Sequence, residues 1–309
     1  MHKSPESENP YPSSTDCIAD VRRKNELYRS EDAHDTSEAA RLKKQGELLK
    51  KIGSNTYKKI LSAGSDLSIL DIGCNDGSVL LDCLSGYSVK NVIGIDVDSD
   101  AVSRANASYS NDSRHFYHLD CEDPDFSSNL NKIMCGNGID GFDVVILSMV
   151  ILHLEDPFKV LKILKTVLKS GGKIIIRDVD DGLFFAYPDE DGAFKRLMHI
   201  CSYCEATGYR QSGRQIYSLL KRIGMKNICL DVCGWNSVGM DEEEKDAFFD
   251  VWASFIPRYL KLMVNKYPDN KEIADDYKWL TSVYDDLEKR FIREDFIYQC
   301  GIMIYTAEK

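Results

Sequence analysis

Strand-like runs that alternate with helical segments limit the fold more than any other feature of this chain. Five short runs rich in Val, Ile and Leu follow one another between residues 67 and 179, namely LSILDIG, NVIGIDV, RHFYHL, DVVILSM and KIIIRDV. Parallel strands buried on both faces have this composition, and right-handed crossovers place helices over them. We therefore predict an α/β fold with a mostly parallel sheet and helices on both faces.

Length and charge exclude several classes of protein. The 309 residues, 43% of them hydrophobic, are enough to bury a large core. The formal net charge of −11 opposes binding to a long nucleic acid. The sequence has ten cysteines, no signal-like start and no apolar run long enough to cross a bilayer. These features predict a cytoplasmic protein without a membrane partner.

The cysteine spacings do not favour a metal site. Cys201 and Cys204 are spaced as C-x-x-C, and Cys229 and Cys233 are one residue further apart. Neither pair has the glycines of a zinc knuckle, and both fall on predicted regular elements. We predict buried free thiols and no metal.

The turn after the first strand, DIGCNDG, favours a ligand without phosphate. A dinucleotide turn uses three glycines to bring a pyrophosphate to a helix N-terminus. This turn has Gly73 and Gly77, with Asn75 between them, and Asp76 would repel an anion. Asn tolerates a left-handed backbone, so the turn stays tight while losing room for phosphate.

Carboxylates follow the next two strands. Asp96 and Asp98 close the second strand, where an acid binds ribose hydroxyls in nucleoside-binding sheets. Asp120 closes the third strand, where its carboxylate is suited to an adenine amino group and the backbone of Cys121 to a ring nitrogen. A ribose, an adenine and no phosphate describe S-adenosyl-L-methionine (SAM).

Four motifs in order resemble those of class I SAM-dependent methyltransferases. They are DIGCNDG, GIDVD, HLDCED and FDVVILSMVILHLEDPFKVLKILKTVLKSGGKIII, within residues 65–177. The resemblance implies a Rossmann-like seven-stranded sheet over residues 64–237 and 294–309, ending in an antiparallel strand, with SAM as cofactor. It also implies that the cofactor is bound by Asp71, Gly73, Cys74, Asn75, Gly77, Asp96, Val97, Asp120, Cys121, Ser148 and Met149.

The flanking segments are similar to a narrower group. The stretches EAARLKKQGELL, RDVDDGLFFAYPD and SGRQIYSLLKRIGMKNI look like those of small-molecule methyltransferases of the ubiquinone and menaquinone biosynthesis type. That similarity implies a helical lid over residues 17–63, preceded by a polar tail at 1–16. Tyr28 and Arg41 would then line the closed cofactor site. Alternatively, Arg41 is a solvated surface charge.

The predicted acceptor side lies beyond the fifth strand. Residues 238–293 read as a long helical insertion that caps the substrate. We consider His153, Asp178 and Tyr187 as catalytic candidates, because His153 is placed to act as a base and carboxylates at Asp178 and Asp180 would attract an amine. The alternatives are a packing role for His153 and a solvated loop in which Arg177 pairs with an Asp.

The predicted function is therefore SAM-dependent methyl transfer to a small-molecule acceptor, with amines among the candidates. Two other classes stay open. A nicotinamide-dependent oxidoreductase shares the sheet and the ribose acid, but it needs a third glycine and a catalytic pair that the sequence does not show. A non-catalytic SAM-binding module also fits, because methyl transfer requires no obligatory catalytic residue.

Overall fold

The computed structural model describes residues 36–49, 52–204 and 208–309. The predicted tail, Tyr28 and the part of the predicted lid before residue 36 lie outside these ranges. In the described part of the chain, no helix combines the length and the apolar character needed to cross a membrane.

Strands and helices alternate through the first half of the described chain, as predicted. The strands are β1 Leu67–Ile72, β2 Val89–Asp96, β3 Arg114–His118, β4 Phe142–Ser148, β5 Leu168–Val179, β6 Phe185–Tyr187, β7 Lys226–Asn236 and β8 Ile297–Glu308. The helices are α1 Thr36–Leu49, α2 Ser54–Leu61, α3 Ser78–Leu84, α4 Ser99–Tyr109, α5 Phe126–Gly136, α6 Pro157–Val167, α7 Ala193–Tyr203, α8 Gly213–Arg222, α9 Glu242–Ala253, α10 Phe255–Lys266 and α11 Lys271–Phe291.

The sheet confirms the predicted mostly parallel architecture. Its order is β3-β2-β1-β4-β5-β8-β6, and β7 pairs with β8 as well. The pairs from β3 to β5 are parallel, whereas β8 runs antiparallel to β5, β6 and β7. The described chain has eight strands rather than the predicted seven. The additional strand is β6, whose three residues are too few to produce a period in the sequence.

The central strand is buried on both faces, which explains its continuous apolar run. Neighbouring side chains of β1 point to opposite faces, so Ile69 and Leu70, both 0% exposed, enter different hydrophobic clusters. One cluster packs the sheet against α5, α6 and α8, and the other against α2, α3, α7 and the helices between β7 and β8.

The predicted helical insertion consists of α9, α10 and α11, between β7 and β8. It packs on the sheet through aromatic rings. Phe248 of α9 stacks on Trp235 of β7 with ring centroids 4.6 Å apart, and Trp252 lies 4.3 Å from Tyr298 of β8. The insertion therefore shares its core with the sheet and closes one side of the space above the strand ends.

Candidate active site

The turn after β1 is a tight cradle that depends on its glycines. Gly73, Asn75 and Gly77 have φ values of 71°, 48° and 77°. A Cβ on Gly73 would lie 2.5 Å from Cγ2 of Val150, and one on Gly77 would lie 2.9 Å from Cε1 of Phe116. Larger residues therefore do not fit at either glycine, and Asn75 adopts the left-handed conformation that the sequence predicted.

Asp96 joins the end of β2 to this turn. One oxygen of its carboxylate accepts the N–H of Asn75 at 2.7 Å, and the other accepts the N–H of Asp98 at 2.9 Å. Burial raises the pKa of Asp96 above its ordinary value. Asp98 instead caps α4, since its carboxylate accepts the N–H groups of Asp100 and Ala101. Of the two acids that close β2, Asp96 is therefore the one held against the turn.

Asp71 is a buried carboxyl group at the end of β1. It is 6% exposed, and its side chain makes no hydrogen bond with the residues that the structure describes. Its pKa is raised to about 8, chiefly by burial and secondly by the neighbouring Asp96, whereas Arg177 opposes the shift. Such a group favours the approach of a cation or a hydrogen-bond donor.

A cavity of about 270 Å³ lies at the carboxyl ends of β1 to β4. Most of the predicted cofactor residues line it, namely Arg41, Asp71, Gly73, Cys74, Asn75, Asp96, Val97, Asp120, Cys121, Ser148 and Met149. Gly77 does not line the cavity, because it forms the N-cap of α3 behind the turn. The structure thus brings together residues that are distant in the sequence.

Arg177 fixes the edge of the cavity in a way the sequence did not indicate. It is 1% exposed, and its Nε and Nη2 donate to Oγ of Ser148 at 2.9 and 2.8 Å. Its Nη1 donates to the carbonyl oxygens of Leu49 and Ile52 at 2.8 and 3.1 Å. The expected pairing of Arg177 with an Asp of the following loop is therefore wrong. The sequence signal that could have indicated this role was the presence of a charged residue within a predicted buried strand.

Arg41 of α1 faces the cavity rather than bulk solvent alone. Its Nη1 donates to Oε1 of Gln45 and to the carbonyl oxygen of Val251, both at 2.9 Å. Its guanidinium lies 4.7 Å from the ring centroid of Phe255. Arg41 therefore connects α1 to the insertion, and its contact with the cofactor carboxylate stays a prediction.

The acidic run after β5 does not face the cavity, which corrects an expectation from the sequence. Asp178 is 0% exposed, and its carboxylate accepts from Oγ of Ser212 at 2.8 Å and from the N–H of Leu152 at 3.2 Å. Burial raises the pKa of Asp178 to about 6, against these hydrogen bonds. Asp180 is bound by Arg214 through contacts of 2.6 and 2.9 Å. Both carboxylates have partners within the protein and do not attract an acceptor.

Tyr187 also lies away from the cavity. It is on the short strand β6, its exposure is 66%, and it borders a separate open groove with Phe185 and Asp189. This placement gives Tyr187 no contact with the strand ends that carry the predicted cofactor residues. The expectation that it lies beside the acceptor is corrected accordingly.

His153 is the catalytic candidate that does line the cavity. It is the last residue of the short 3-10 helix Ile151–His153 that follows β4, and it is half-buried. Its action as a base stays a prediction. Beyond His153 the cavity is walled by residues from later in the chain, namely Arg210, Trp235, Val251, Trp252, Phe255, Tyr259 and Cys300.

Comparison with known proteins agrees with this geometry. Residues 34–230 match the model of a family described as a methyltransferase domain. No curated protein matches the chain.

Solved structures show the same fold at low sequence identity. A plantazolicin methyltransferase, BamL, in complex with a triazolic desmethylPZN analog and SAH, is 14% identical with a TM-score of 0.54, and the match covers 96% of this chain and 99% of that one. Its counterpart BpumL, in complex with SAH, is 14% identical with a TM-score of 0.51 over 96% and 97%. The methyltransferase BH2331 from Bacillus halodurans, described as putative, is 14% identical with a TM-score of 0.50 over 83% and 98%.

Proposed function

We propose an acceptor for this chain, which belongs to the methyltransferase domain family and is a SAM-dependent methyltransferase. The acceptor is a small molecule whose apolar body is bound beneath α9 and α10. One observation carries the proposal. A single cavity runs from the carboxylates of Asp96 and Asp120 to the aromatic side chains of Trp252 and Phe255. Cofactor and acceptor sites are thus continuous, as direct transfer between two bound molecules requires.

The residues at the strand ends fit the cofactor. The glycine turn leaves room only for backbone beside the ligand, and Asp96 is suited to the ribose hydroxyls. Asp120 and the backbone of Cys121 are suited to the adenine. Asp71, which lacks a hydrogen bond to the described residues, is suited to the positive charge of the cofactor.

Transfer requires little chemistry from the protein itself. SAM supplies a methyl group that its sulfonium already activates. The chain has to hold the acceptor in line with that methyl group and keep water away. Trp252, Phe255 and Tyr259 provide an apolar wall for this purpose, and His153 is placed to accept a proton from an acceptor that arrives protonated.

Two finer assignments differ in their support. The arrangement of α1 beside the cavity supports the resemblance to methyltransferases of the quinone-biosynthesis type, since Arg41 and Leu49 both line the space. The amine acceptor suggested by the sequence has lost its basis, because Asp178 and Asp180 are bound by Ser212 and Arg214.

The apolar acceptor site is tested by removing one ring. Phe255→Ala should lower kcat/KM for ring-containing acceptors by about tenfold or more, because it removes apolar surface that lines the acceptor end of the cavity. The measurement is transfer of a labelled methyl group from SAM to a panel of aromatic and sugar-like acceptors, with SAH affinity determined separately. Phe185→Ala is the matched control, since that ring is 49% exposed on β6. Transfer confined to sugar-like acceptors would contradict the proposal.

A further inference from the structure

Arg210 carries a buried guanidinium group at the acceptor end of the cavity that the proposed reaction does not use. The side chain of Arg210 is 10% exposed and lines the cavity. Its Nε and Nη2 donate to the two carboxylate oxygens of Asp181 at 2.9 and 3.1 Å, and the side chain of Asp181 is itself only 7% exposed. One edge of the guanidinium is therefore fully occupied by an ion pair.

The other edge of this guanidinium has no partner in the described part of the chain. A guanidinium has five N–H donors in one plane, and Asp181 accepts only two of them. Nη1 makes no hydrogen bond with the described residues, and it is not among the fully buried atoms of the protein. Leaving charged donors without an acceptor in a buried site is unfavourable, so the free edge indicates a ligand group that accepts hydrogen bonds.

The charges around the cavity indicate what that group is. The acidic residues among its described lining all lie at the carboxyl ends of β1, β2 and β3 or just after them, at the cofactor end; they are Asp71, Asp76, Asp96, Asp98 and Asp120. At the end formed by α9, α10, β7 and β8, the described lining includes no carboxylate. A cationic acceptor group would find no counter-charge there, whereas an anionic group would meet Arg210.

The segment that carries Arg210 is held in place by the protein core. The N–H of Tyr209 donates to the carbonyl oxygen of Leu152 at 2.7 Å, and the carbonyl oxygen of Arg210 accepts from the N–H of Asp181 at 2.8 Å. Two positions later, Ser212 donates to the buried carboxylate of Asp178 at 2.8 Å. Asp178 thus acts in positioning this segment. The guanidinium is preorganised, which is what selective binding requires.

We propose that Arg210 is a specificity-determining residue that binds a carboxylate group of the acceptor through its Nη1–Nη2 edge. The substrates are then organic acids with an apolar ring, and the ring lies against Trp252 and Phe255. This inference rests on the proposed function, because it requires the acceptor to occupy the same chamber. Charge-assisted bonds of this kind change affinity by roughly ten- to a hundredfold.

The test compares acids with their uncharged amides. Benzoate, 2-naphthoate and indole-3-acetate, each paired with its amide, are titrated calorimetrically into the SAH-bound protein. For the wild type we expect each acid to bind at least about tenfold more tightly than its amide. The double variant Arg210→Met with Asp181→Leu removes the ion pair as a unit and should bring the ratio close to one. Arg210→Lys, which keeps a charge for Asp181, should lower the ratio several-fold.

Arg196→Lys is the matched control. Arg196 also pairs with a buried aspartate, since its Nε and Nη2 donate to Oδ1 of Asp276 at 3.0 and 2.7 Å. It does not line the cavity, so the acid-to-amide ratio should stay at its wild-type value. Equal affinity of the wild type for acids and amides would overturn this inference and leave the proposed function intact. A preference for acids that persists in the double variant would have the same consequence. A loss of SAH affinity in the Arg210 variants with an unchanged ratio would assign this guanidinium to the cofactor and also overturn it. If no probe binds the SAH-bound protein, the chamber and the inference both fail.

Discussion

A buried carboxyl group that lacks a hydrogen-bond partner destabilises a folded protein when it ionises, and the side chain of Asp71 makes no hydrogen bond with the described residues. Its pKa is raised to about 8 by burial first and by Asp96 second. The unfolded chain loses this proton near pH 4, whereas the folded chain holds it to a much higher pH. Between those values the folded state binds more protons than the unfolded state, so this group makes the free energy of unfolding fall as pH rises.

The prediction at this residue is a change in pH dependence. Asp71→Asn removes the titrating group, so the variant should lose less stability than the wild type between pH 5 and pH 8. The difference in the free energy of unfolding, variant minus wild type, should therefore be larger at pH 8 than at pH 5. Urea unfolding of the SAM-free protein at the two pH values measures this. Asp112→Asn, at an exposed turn, is the control and should follow the wild type. Parallel pH profiles for wild type and Asp71→Asn would contradict the pKa assigned to Asp71.

Helix α1 is attached to the rest of the protein at its end and along one side. Arg177 binds the carbonyl oxygens of Leu49 and Ile52 at its C-terminal end, and Arg41 binds the carbonyl oxygen of Val251. Lys44 also contacts Asp250. The last contact is solvent-exposed and contributes little. The helix borders the cavity with limited apolar burial, which is typical of an element that a ligand stabilises.

We therefore expect the cofactor to stabilise α1. Addition of SAH should slow amide hydrogen exchange in residues 40–49 by about tenfold or more, because the bound ligand adds contacts to the face that lines the cavity. Residues 157–167 of α6, on the opposite side of the sheet, serve as the internal control and should change little. Equal protection of α1 with and without SAH would contradict the prediction that it acts as a lid.

The strands differ in how well their sequences predict them. The runs of β1, β2, β4 and β5 are continuous because both faces of these strands are buried, and that pattern is local to each strand. β6 has only three residues with alternating exposure, and no local signal separates it from a loop. The sequence therefore predicted the parallel half of the sheet and missed this additional edge strand.

The insertion and the sheet share one core at the scale of the whole molecule. Phe291, at the end of α11 and 0% exposed, has ring centroids 5.7 Å from Phe248 and 5.3 Å from Tyr298 of β8. Phe291→Ala should lower the free energy of unfolding by about 3–5 kcal/mol, in one cooperative transition. Denaturant unfolding followed by fluorescence and circular dichroism measures it. Tyr217→Ala, at a 51% exposed side chain, should cost no more than about 0.5 kcal/mol. A separate early transition for the insertion would contradict a shared core.

The two ends of the cavity were predictable to different degrees. The cofactor end is built from strand ends whose acids and glycines stand in one contiguous stretch, so spacing alone brings the turn residue Asn75 and Asp96 together. The acceptor end depends on partners far apart in the chain. Asp178 looked catalytic because its partner Ser212 is 34 positions away. Arg210 was overlooked for the same reason, since its place in the cavity depends on contacts of its segment with Leu152 and Asp181, which are distant in the sequence.

The position of β8 also has a consequence for the order of folding. Arg177 of β5 pairs with Ile304 of β8, about 130 positions later, and β7 pairs with the same strand on its other edge. Closing so long a loop is entropically slow, whereas β1, β2 and β4 meet over shorter separations. During synthesis the nucleoside-binding half can collapse while β8 is still being made. The proposed acceptor end of the cavity, which β8 lines through Cys300, is then completed later than the cofactor end.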